Sequence, residues 1–256
     1  MGAAEGISVD LKKLLRRLKL SPMLATLPER IVLARQRSMP YQEFLEIVLA
    51  EEVERRNQIS AQVRARKARL DPGMHLAVWD DSAKVSFDRQ LWSELVTLRF
   101  VEAHHNVVII GPVGVGKTHL ASALGHVACR RGMSVVMARA ERLLKDLKAS
   151  RLDQTYDREM RRLTTVDLLV LDDFALDTMD ATESRDVYEV IVERHQRGSL
   201  VVTSNRDPAE WLTTMADPLR AQSAIDRLTN AAYELVIEGE SYRGRQKPRM
   251  NGDKKR

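Results

Sequence analysis

The chain has 256 residues, of which 44% are apolar and 30% charged, and its formal net charge is +5. This length and apolar content allow one substantial domain with a buried core and a smaller appendage. The single cysteine, Cys129, excludes disulfides and thiolate metal clusters within the chain. No apolar run approaches the roughly 18 residues that span a bilayer, and the first residues lack the apolar core of a signal peptide. We therefore expect a cytoplasmic protein.

The charge is unevenly distributed along the chain. Residues 1–100 carry 17 Lys and Arg against 13 Asp and Glu, residues 101–242 carry 17 against 22, and residues 243–256 carry 7 against 1. A mildly acidic centre thus lies between two basic ends, which suggests a polyanionic partner. A basic tail is equally typical of a disordered, solubilising extension, so both interpretations stay open.

Apolar residues recur at helical spacing in the N-terminal segment. They predict a first helix around Leu11–Leu18 and a second over Leu24–Arg37, separated by the break at Ser21-Pro22. A third helix begins after Pro40, and its apolar face is typical of packing against partner helices. A basic amphipathic helix can instead lie on a membrane surface.

The second half of the third helix is basic. No acidic residue lies between Arg55 and Leu70, and Asp71-Pro72-Gly73 then ends the helical segment. We expect a helical domain over 1–70 that binds DNA or a partner, followed by a linker over 71–100. The candidate nucleic-acid contacts are Arg55, Arg56, Arg64, Arg66, Lys67 and Arg69.

Short apolar runs alternate with helical patterns from Asn106 onward. This alternation predicts an α/β domain over 101–242, with a parallel sheet covered by helices on both faces, and a basic tail over 243–256. The predicted strands are 106–110, 134–138, 167–172, 200–203 and 233–238, and the predicted helices are 117–131, 140–149, 154–164, 182–197, 208–215 and 219–230.

A glycine-rich loop lies between the first of these strands and its helix. It fits the phosphate-binding pattern G-x-x-x-x-G-K-[ST] without mismatch, and its context is the one that the pattern requires. Such a loop points several backbone N–H groups at one set of phosphates. Lys117 is expected to reach the β- and γ-phosphates and Thr118 to coordinate Mg²⁺; a glycine turn unrelated to phosphate is the alternative. The candidate nucleotide-binding residues are Gly111, Pro112, Val113, Gly114, Val115, Gly116, Lys117, Thr118 and His119.

Two carboxylates follow the apolar strand residues 168–171. Because the carboxyl ends of parallel strands meet at one edge of a sheet, Asp172 is expected beside Thr118 as a second Mg²⁺ ligand. Asp173 is then suited to orient or deprotonate the attacking water, unless both residues are surface aspartates in a turn. Asn205 ends a further apolar strand, and its carboxamide is suited to hold that water against the γ-phosphate.

ATP is favoured over GTP as the nucleotide. Asp172 lies 55 positions after Lys117, which leaves room for a complete intervening strand and distinguishes the chain from GTPases and small kinases. The Asn-Lys-x-Asp element that reads guanine is missing, since the nearest string is Asn205-Arg-Asp-Pro208.

With these residues in place, the chain resembles AAA+ ATPases and, among them, the IstB family, the helper ATPases of bacterial insertion sequences. The bacterial helicase loaders share the pattern. The resemblance covers nearly the whole chain and is carried by TLRF at 97–100, GPVGVGKTHLA at 111–121, LLVLDDF at 168–174, TSN at 203–205, AIDRL at 224–228 and IEGESYR at 237–243.

The resemblance implies roles for further residues. Asn205 matches the sensor of the γ-phosphate, Arg227 the arginine finger that enters the ATP site of a neighbouring subunit, and Arg243 a second sensor in its own subunit. A finger acting in trans implies a homo-oligomer with ATP at its interfaces. Asp173 replaces the glutamate usual in AAA+ proteins, so slow turnover is expected.

The resemblance implies a transposition helper of the bacterial cytoplasm. Such an oligomer uses ATP and Mg²⁺, binds duplex target DNA largely independently of sequence, and recruits the transposase of the same element. A helicase loader that delivers a replicative helicase to DNA is the competing interpretation. A small-molecule kinase is a third, but the acceptor pocket and arginine-bearing lid that it needs are not recognisable in the sequence.

Overall fold

The computed structural model describes residues 7–80, 82, 84–230 and 232–242. The chain divides into two compact units, Met1–Ser60 and Ala61–Arg256. The predicted tail over 243–256, with Arg243, lies outside the described residues. Within the described part of the chain, no helix is both long enough and apolar enough to cross a bilayer.

The smaller unit is helical. It contains α1 (Val9–Arg17), a 3₁₀ helix (Ser21–Ala25), α2 (Leu27–Gln36) and the first part of α3 (Tyr41–Lys67). The side chain of Ser8 caps α1 by accepting a hydrogen bond from the backbone N–H of Leu11. Among residues 7–60, the buried apolar side chains are few, namely Leu15, Met23, Leu27 and Val48.

The larger unit carries a sheet and its covering helices. Its first elements are a 3₁₀ helix (Leu76–Val78), β1 (Val85–Ser86), α4 (Arg89–Val96), α5 (Arg99–Glu102), β2 (Asn106–Ile110), α6 (Lys117–Arg130), β3 (Val135–Arg139) and α7 (Ala140–Leu152). They are followed by α8 (Tyr156–Thr165), β4 (Leu168–Asp172), α9 (Ala181–Arg194), β5 (Ser199–Ser204), a 3₁₀ helix (Pro208–Thr214), α10 (Pro218–Thr229), β6 (Ala232–Val236) and β7 (Glu238–Gly239).

The predicted parallel sheet is confirmed. Its strand order is β3-β4-β5-β2-β6, and every neighbouring pair is parallel. Val107 and Ile109 of β2 belong to the apolar layer that contains α6. Val108 and Ile110 belong to the layer that contains α7 and α9. Apolar layers therefore cover both faces, which explains why β2, β4 and β5 are buried along their whole length.

Three elements differ from the prediction. The helix expected at 208–215 is a 3₁₀ helix, and the strand expected at 233–238 ends at Val236. Beyond it, β7 pairs in antiparallel fashion with β1. The predicted linker also contains α4, because the Asp88 carboxylate accepts hydrogen bonds from two backbone N–H groups at the start of this helix.

Candidate nucleotide site

Three segments meet at one edge of the central sheet. The phosphate loop follows β2, Asp172 ends β4, and Asn205 is the first residue after β5. Since β5 lies between β4 and β2 and all three strands are parallel, their carboxyl ends form one surface. The fold therefore gathers the phosphate loop, Asp172 and Asn205 at this edge.

The phosphate loop is built on left-handed glycines and closely covered. Gly114 has φ +85°, and a Cβ at this position would lie 2.1 Å from Oγ of Ser241. The backbone N–H of Tyr242 donates to the Gly114 carbonyl at 2.9 Å. Gly114 is thus required both by its backbone conformation and by the approach of the chain segment after β6.

The Lys117 ammonium lies inside the loop. Its Nζ donates to the carbonyls of Gly111 and Pro112, each at 2.7 Å. The side chain is buried at the first residue of α6, where the positive end of the helix dipole also lies. A buried ammonium among backbone N–H groups at a helix start fits a phosphate chain.

Thr118 and Asp172 lie within hydrogen-bond distance. The Thr118 hydroxyl donates to Oδ1 of Asp172 at 2.9 Å, and the Thr203 hydroxyl donates to the same oxygen at 2.6 Å. Burial raises the pKa of Asp172, which is 2% exposed. Hydroxyl and carboxylate oxygens beside a phosphate loop are suitable Mg²⁺ ligands, so Thr118 and Asp172 could hold this ion.

Asp173 is oriented by its backbone. It adopts φ +54°, in the left-handed region, and its N–H donates to the Thr203 hydroxyl at 3.0 Å. One carboxylate oxygen lies 3.9 Å from Nε of Arg139, and a third of the side chain is exposed. Asp173 is therefore accessible to water and faces a cation at the end of β3.

Thr203 and Arg139 were not among the predicted site residues. Thr203 bridges Asp172 and Asp173 through its hydroxyl, and Arg139 is opposite Asp172 in the β3–β4 register. The available signal was weak: each is a polar residue near the end of an otherwise apolar strand.

Two further predicted residues, Asn205 and Arg227, form no side-chain hydrogen bond with the phosphate loop among the described residues. Asn205 is half-buried. The Arg227 guanidinium donates to the backbone oxygen of Ser223, one turn earlier on α10, and to its hydroxyl. Neither of these hydrogen bonds reaches the phosphate loop.

The remaining loop positions differ in exposure. Val113 is 59% exposed at the tip, whereas Val115 is fully buried. His119, in the first turn of α6, lies with Nε2 3.3 Å from the His75 carbonyl oxygen. Burial lowers the pKa of His119, which favours its neutral form.

Arg55 and Arg56 are paired with a buried carboxylate. Each guanidinium donates to Glu52 at 2.7 Å, and Arg56 also donates to the Lys19 carbonyl at 3.0 Å. Hydrogen bonds from Arg55 and Arg56 lower the pKa of Glu52 to about 2. The pair therefore orients both guanidiniums and cancels part of their charge.

The other candidate nucleic-acid residues lie in the larger unit. Arg64 donates from Nε to the Cys129 carbonyl at 2.8 Å, and Arg69 lies 3.6 Å from Asp146. Arg66 and Lys67 are exposed, and both stay predictions as DNA contacts.

Asp172→Asn is expected to stabilise the ligand-free protein. Burial raises the pKa of Asp172 in the folded protein above its value in the unfolded chain, about 3.9. As the pH rises from the unfolded pKa through the folded pKa, the carboxyl ionises more readily in the unfolded chain, and the folded protein loses stability. Asparagine keeps an oxygen for both threonine hydroxyls without the charge. Near neutral pH, thermal unfolding should give a higher Tm for the variant than for the wild type, by about 2–4 °C for each kcal/mol by which the free energy of unfolding increases.

Two controls accompany this measurement. The Tm difference should shrink as the pH falls and should vanish below about 3.9, where the Asp172 carboxyl is protonated in the folded and the unfolded protein. It should reverse with saturating Mg²⁺ and ATP, because these ligands stabilise the protein that binds them more tightly. A variant less stable than the wild type at neutral pH without ligands would contradict the interpretation of Asp172 as a penalised buried carboxylate.

Comparisons with known proteins agree with this geometry. The chain matches the family described as IstB-like ATP binding protein over residues 13–250. It is 36% identical to the ATP-binding protein Rv3427c in an insertion sequence of Mycobacterium tuberculosis, over 93% of this chain and 95% of the relative. It is 32% identical to the insertion sequence IS21 ATP-binding protein of Pseudomonas aeruginosa, over 93% of this chain and 90% of the relative.

The fold also has relatives among solved structures. The DnaC helicase loader superposes with a TM-score of 0.54 at 18% identity, over 65% of this chain and 97% of the loader. This likeness shows the fold alone, a central parallel sheet flanked by helices. Together with the match over most of its length, the phosphate loop and the residues around it show that the chain belongs to the IstB-like ATP-binding protein family.

Proposed function

We propose that this protein is an ATP-hydrolysing AAA+ oligomer that binds duplex DNA and assists the transposase of an insertion sequence. The observation that carries the proposal is the juxtaposition at the sheet edge: Lys117 lies inside the phosphate loop, and Thr118 is hydrogen-bonded to Asp172. The relatives from Mycobacterium tuberculosis and Pseudomonas aeruginosa, named as ATP-binding proteins of insertion sequences, support the biological setting.

In the proposed reaction, each residue at the sheet edge has one task. Lys117 and the backbone N–H groups of the loop hold the phosphates of ATP, while Thr118 and Asp172 hold Mg²⁺. The ion, when bound, neutralises charge on the phosphate oxygens. Asp173 orients the attacking water or accepts its proton, and the Asn205 carboxamide positions that water.

Arg227 is assigned to the neighbouring subunit's site. Its guanidinium bonds along its own helix to Ser223, which is compatible with a group that acts across an interface. An arginine that reaches the γ-phosphate of a neighbour stabilises charge in the transition state. Hydrolysis then requires a homo-oligomer with ATP at its interfaces. Arg243, outside the described residues, is proposed as a second sensor.

DNA binding is proposed to be electrostatic. The exposed residues Arg66 and Lys67 are suited to phosphate contacts, which carry little sequence information. ATP should strengthen DNA binding by favouring assembly, because many weak contacts then act as one multivalent surface.

The proposed function predicts ATP-dependent, salt-sensitive binding of duplex DNA. The logarithm of the binding constant should fall with the logarithm of salt concentration by about 0.9 for each phosphate neutralised. The double substitution Arg66→Ala with Lys67→Ala should flatten this slope by about 0.9 for each phosphate that is no longer neutralised and leave ATP affinity unchanged. Arg64 is kept, because it is bonded to the Cys129 carbonyl. Fluorescence anisotropy with duplexes of unrelated sequence measures the slope.

A charge-matched control is Arg185→Ala with Arg197→Ala, two exposed positions on and after α9. This control should keep the wild-type slope. If the wild-type protein saturated with ATP does not bind duplex DNA at low salt, the DNA-binding helper is refuted. The helicase-loader interpretation would then lead.

A further inference from the structure

The carboxyl end of β4 is held by one threonine of the neighbouring strand β5. The backbone pairing of the two strands runs to Leu171, which is opposite Val202. Beyond this pair, the Asp173 N–H donates to the Thr203 hydroxyl at 3.0 Å, and the Phe174 N–H donates to the Thr203 carbonyl oxygen at 2.8 Å. Thr203 therefore binds two successive residues at the point where β4 ends.

The backbone of Asp173 depends on such support. Its φ of +54° lies in the left-handed region, where the Cβ of an L-residue crowds the following carbonyl oxygen. Aspartate adopts this region more readily than most residues, but the conformation persists only where the surrounding structure fixes it. The next residue, Phe174, is buried and packs edge-on against Trp211, with ring centroids 5.0 Å apart. Packing thus holds the chain after Asp173, and the Thr203 hydroxyl holds the N–H of Asp173 itself.

The Thr203 hydroxyl is oriented by its partners. The side chain is fully buried, and a hydroxyl carries a single proton. This proton is donated to Oδ1 of Asp172 at 2.6 Å, which leaves a lone pair to accept the N–H of Asp173. Thr118 donates to the same Asp172 oxygen at 2.9 Å. A chain of hydrogen bonds therefore runs from the first turn of α6 through Asp172 and Thr203 to the backbone of Asp173.

We propose that Thr203 is a positioning residue for ATP hydrolysis, because its hydroxyl holds the left-handed backbone of Asp173 and so directs the Asp173 carboxylate at the attacking water. This assignment rests on the proposed function, in which Asp173 orients or deprotonates that water. A general base must lie within hydrogen-bond reach of the proton that it takes, and a displacement of about 1 Å can lower the rate about 100-fold. Loss of the hydroxyl should therefore slow turnover without weakening the binding of the phosphates.

The test removes the hydroxyl while keeping the shape of the side chain. Thr203→Val replaces the hydroxyl by a methyl group, whereas Thr203→Ser keeps the hydroxyl. Ser199→Ala is the control, because Ser199 has a buried hydroxyl at the other end of β5 that donates to the Phe100 carbonyl oxygen at 3.2 Å. Phosphate release at saturating ATP and Mg²⁺ measures turnover, and calorimetric titration measures ATP affinity.

Thr203→Val should lower turnover by about 10- to 100-fold and leave ATP affinity unchanged. Thr203→Ser and Ser199→Ala should keep turnover close to that of the wild type. The loss in Thr203→Val should persist as the Mg²⁺ concentration is raised, because it arises at Asp173. Wild-type turnover in Thr203→Val, or an equal loss in Thr203→Ser, would overturn the assignment. A loss that disappears at high Mg²⁺ would also overturn it, since the hydroxyl would then act through Asp172.

A double substitution tests whether Thr203 acts through Asp173. In Asp173→Asn the carboxylate that Thr203 positions is already gone, so the addition of Thr203→Val should cause no further loss of turnover. Residues that act as a unit have non-additive effects, whereas independent residues have additive ones. A further loss as large as that of Thr203→Val alone would contradict a positioning role. Single-turnover phosphate release measures these slow rates.

A second pair of variants isolates the same hydroxyl should Thr203→Val fail to fold. Thr203→Ser and Thr203→Ala differ only in the hydroxyl, and the serine variant should turn over ATP about 10- to 100-fold faster. Equal rates in this pair would overturn the role of Thr203. A wild-type protein that does not hydrolyse ATP would instead refute the proposed function, so the two failures are distinguishable.

Discussion

Lys117→Ala is expected to weaken ATP binding by about 10- to 100-fold, since a hydrogen bond to a charged group is worth about 1.5–3 kcal/mol. The ammonium lies inside the phosphate loop, within 2.7 Å of two loop carbonyls, and no other lysine belongs to the loop. Calorimetric titration with ATP and Mg²⁺ measures the loss. Lys148→Ala is the matched control, because it removes an exposed lysine that is paired with Asp180.

Asp173→Asn should separate binding from turnover. Its carboxylate is a third exposed and is not one of the groups proposed to hold Mg²⁺, so ATP affinity should change little. The rate of phosphate release should fall by about 100-fold or more, as expected when a general base is removed. Wild-type turnover in this variant would exclude Asp173 as the catalytic base. Wild-type ATP affinity in Lys117→Ala would exclude the loop as the phosphate site.

Arg227→Ala is expected to reduce turnover by on the order of a thousandfold, the lower end of the effect of an arginine finger, and to retain ATP binding. Wild-type specific activity should also rise with protein concentration, because each active site as proposed needs residues of two subunits. Steady-state phosphate release at increasing protein concentration measures both effects. Arg220→Ala is the control on the same helix, since Arg220 pairs with Asp217 at 3.5 Å.

Mixing two inactive variants tests the composite site directly. Arg227→Ala subunits retain Asp173, and Asp173→Asn subunits retain Arg227. A mixed interface therefore contains one intact site, and activity should return in proportion to the number of such interfaces. No recovery at any ratio, with concentration-independent activity of the wild type, would show that each subunit acts alone.

The phosphate loop and the sheet were predictable from the sequence because the pattern that identifies each of them lies in residues that are contiguous in the chain. Residues 111–119 are contiguous, and their glycines produce the turn where they stand. The apolar runs of β2, β4 and β5 are long enough to identify buried strands. The rule that parallel strands end at one edge then places Asp172 near Thr118, at 2.9 Å between their oxygens.

Contacts between distant segments were not predictable in this way. Ser241 covers Gly114 and Trp79 covers Gly116, but no spacing rule connects these residues. The strands β1 and β7 have two residues each, too few to show any periodicity. The helix predicted near 208–215 is present as a 3₁₀ helix over Pro208–Thr214, a helix type that the sequence pattern did not specify.

The sequence by itself determined that the protein has a phosphate loop, a parallel sheet and basic ends. Only the tertiary structure decided how the charges are used. Arg55 and Arg56 donate hydrogen bonds to the Glu52 carboxylate, and Arg64 donates one to the Cys129 carbonyl. Arg66 and Lys67, in contrast, are exposed. The physical reason is that a count of charges is a property of the chain, but the partner of each charge depends on which segments the fold brings within a few ångströms.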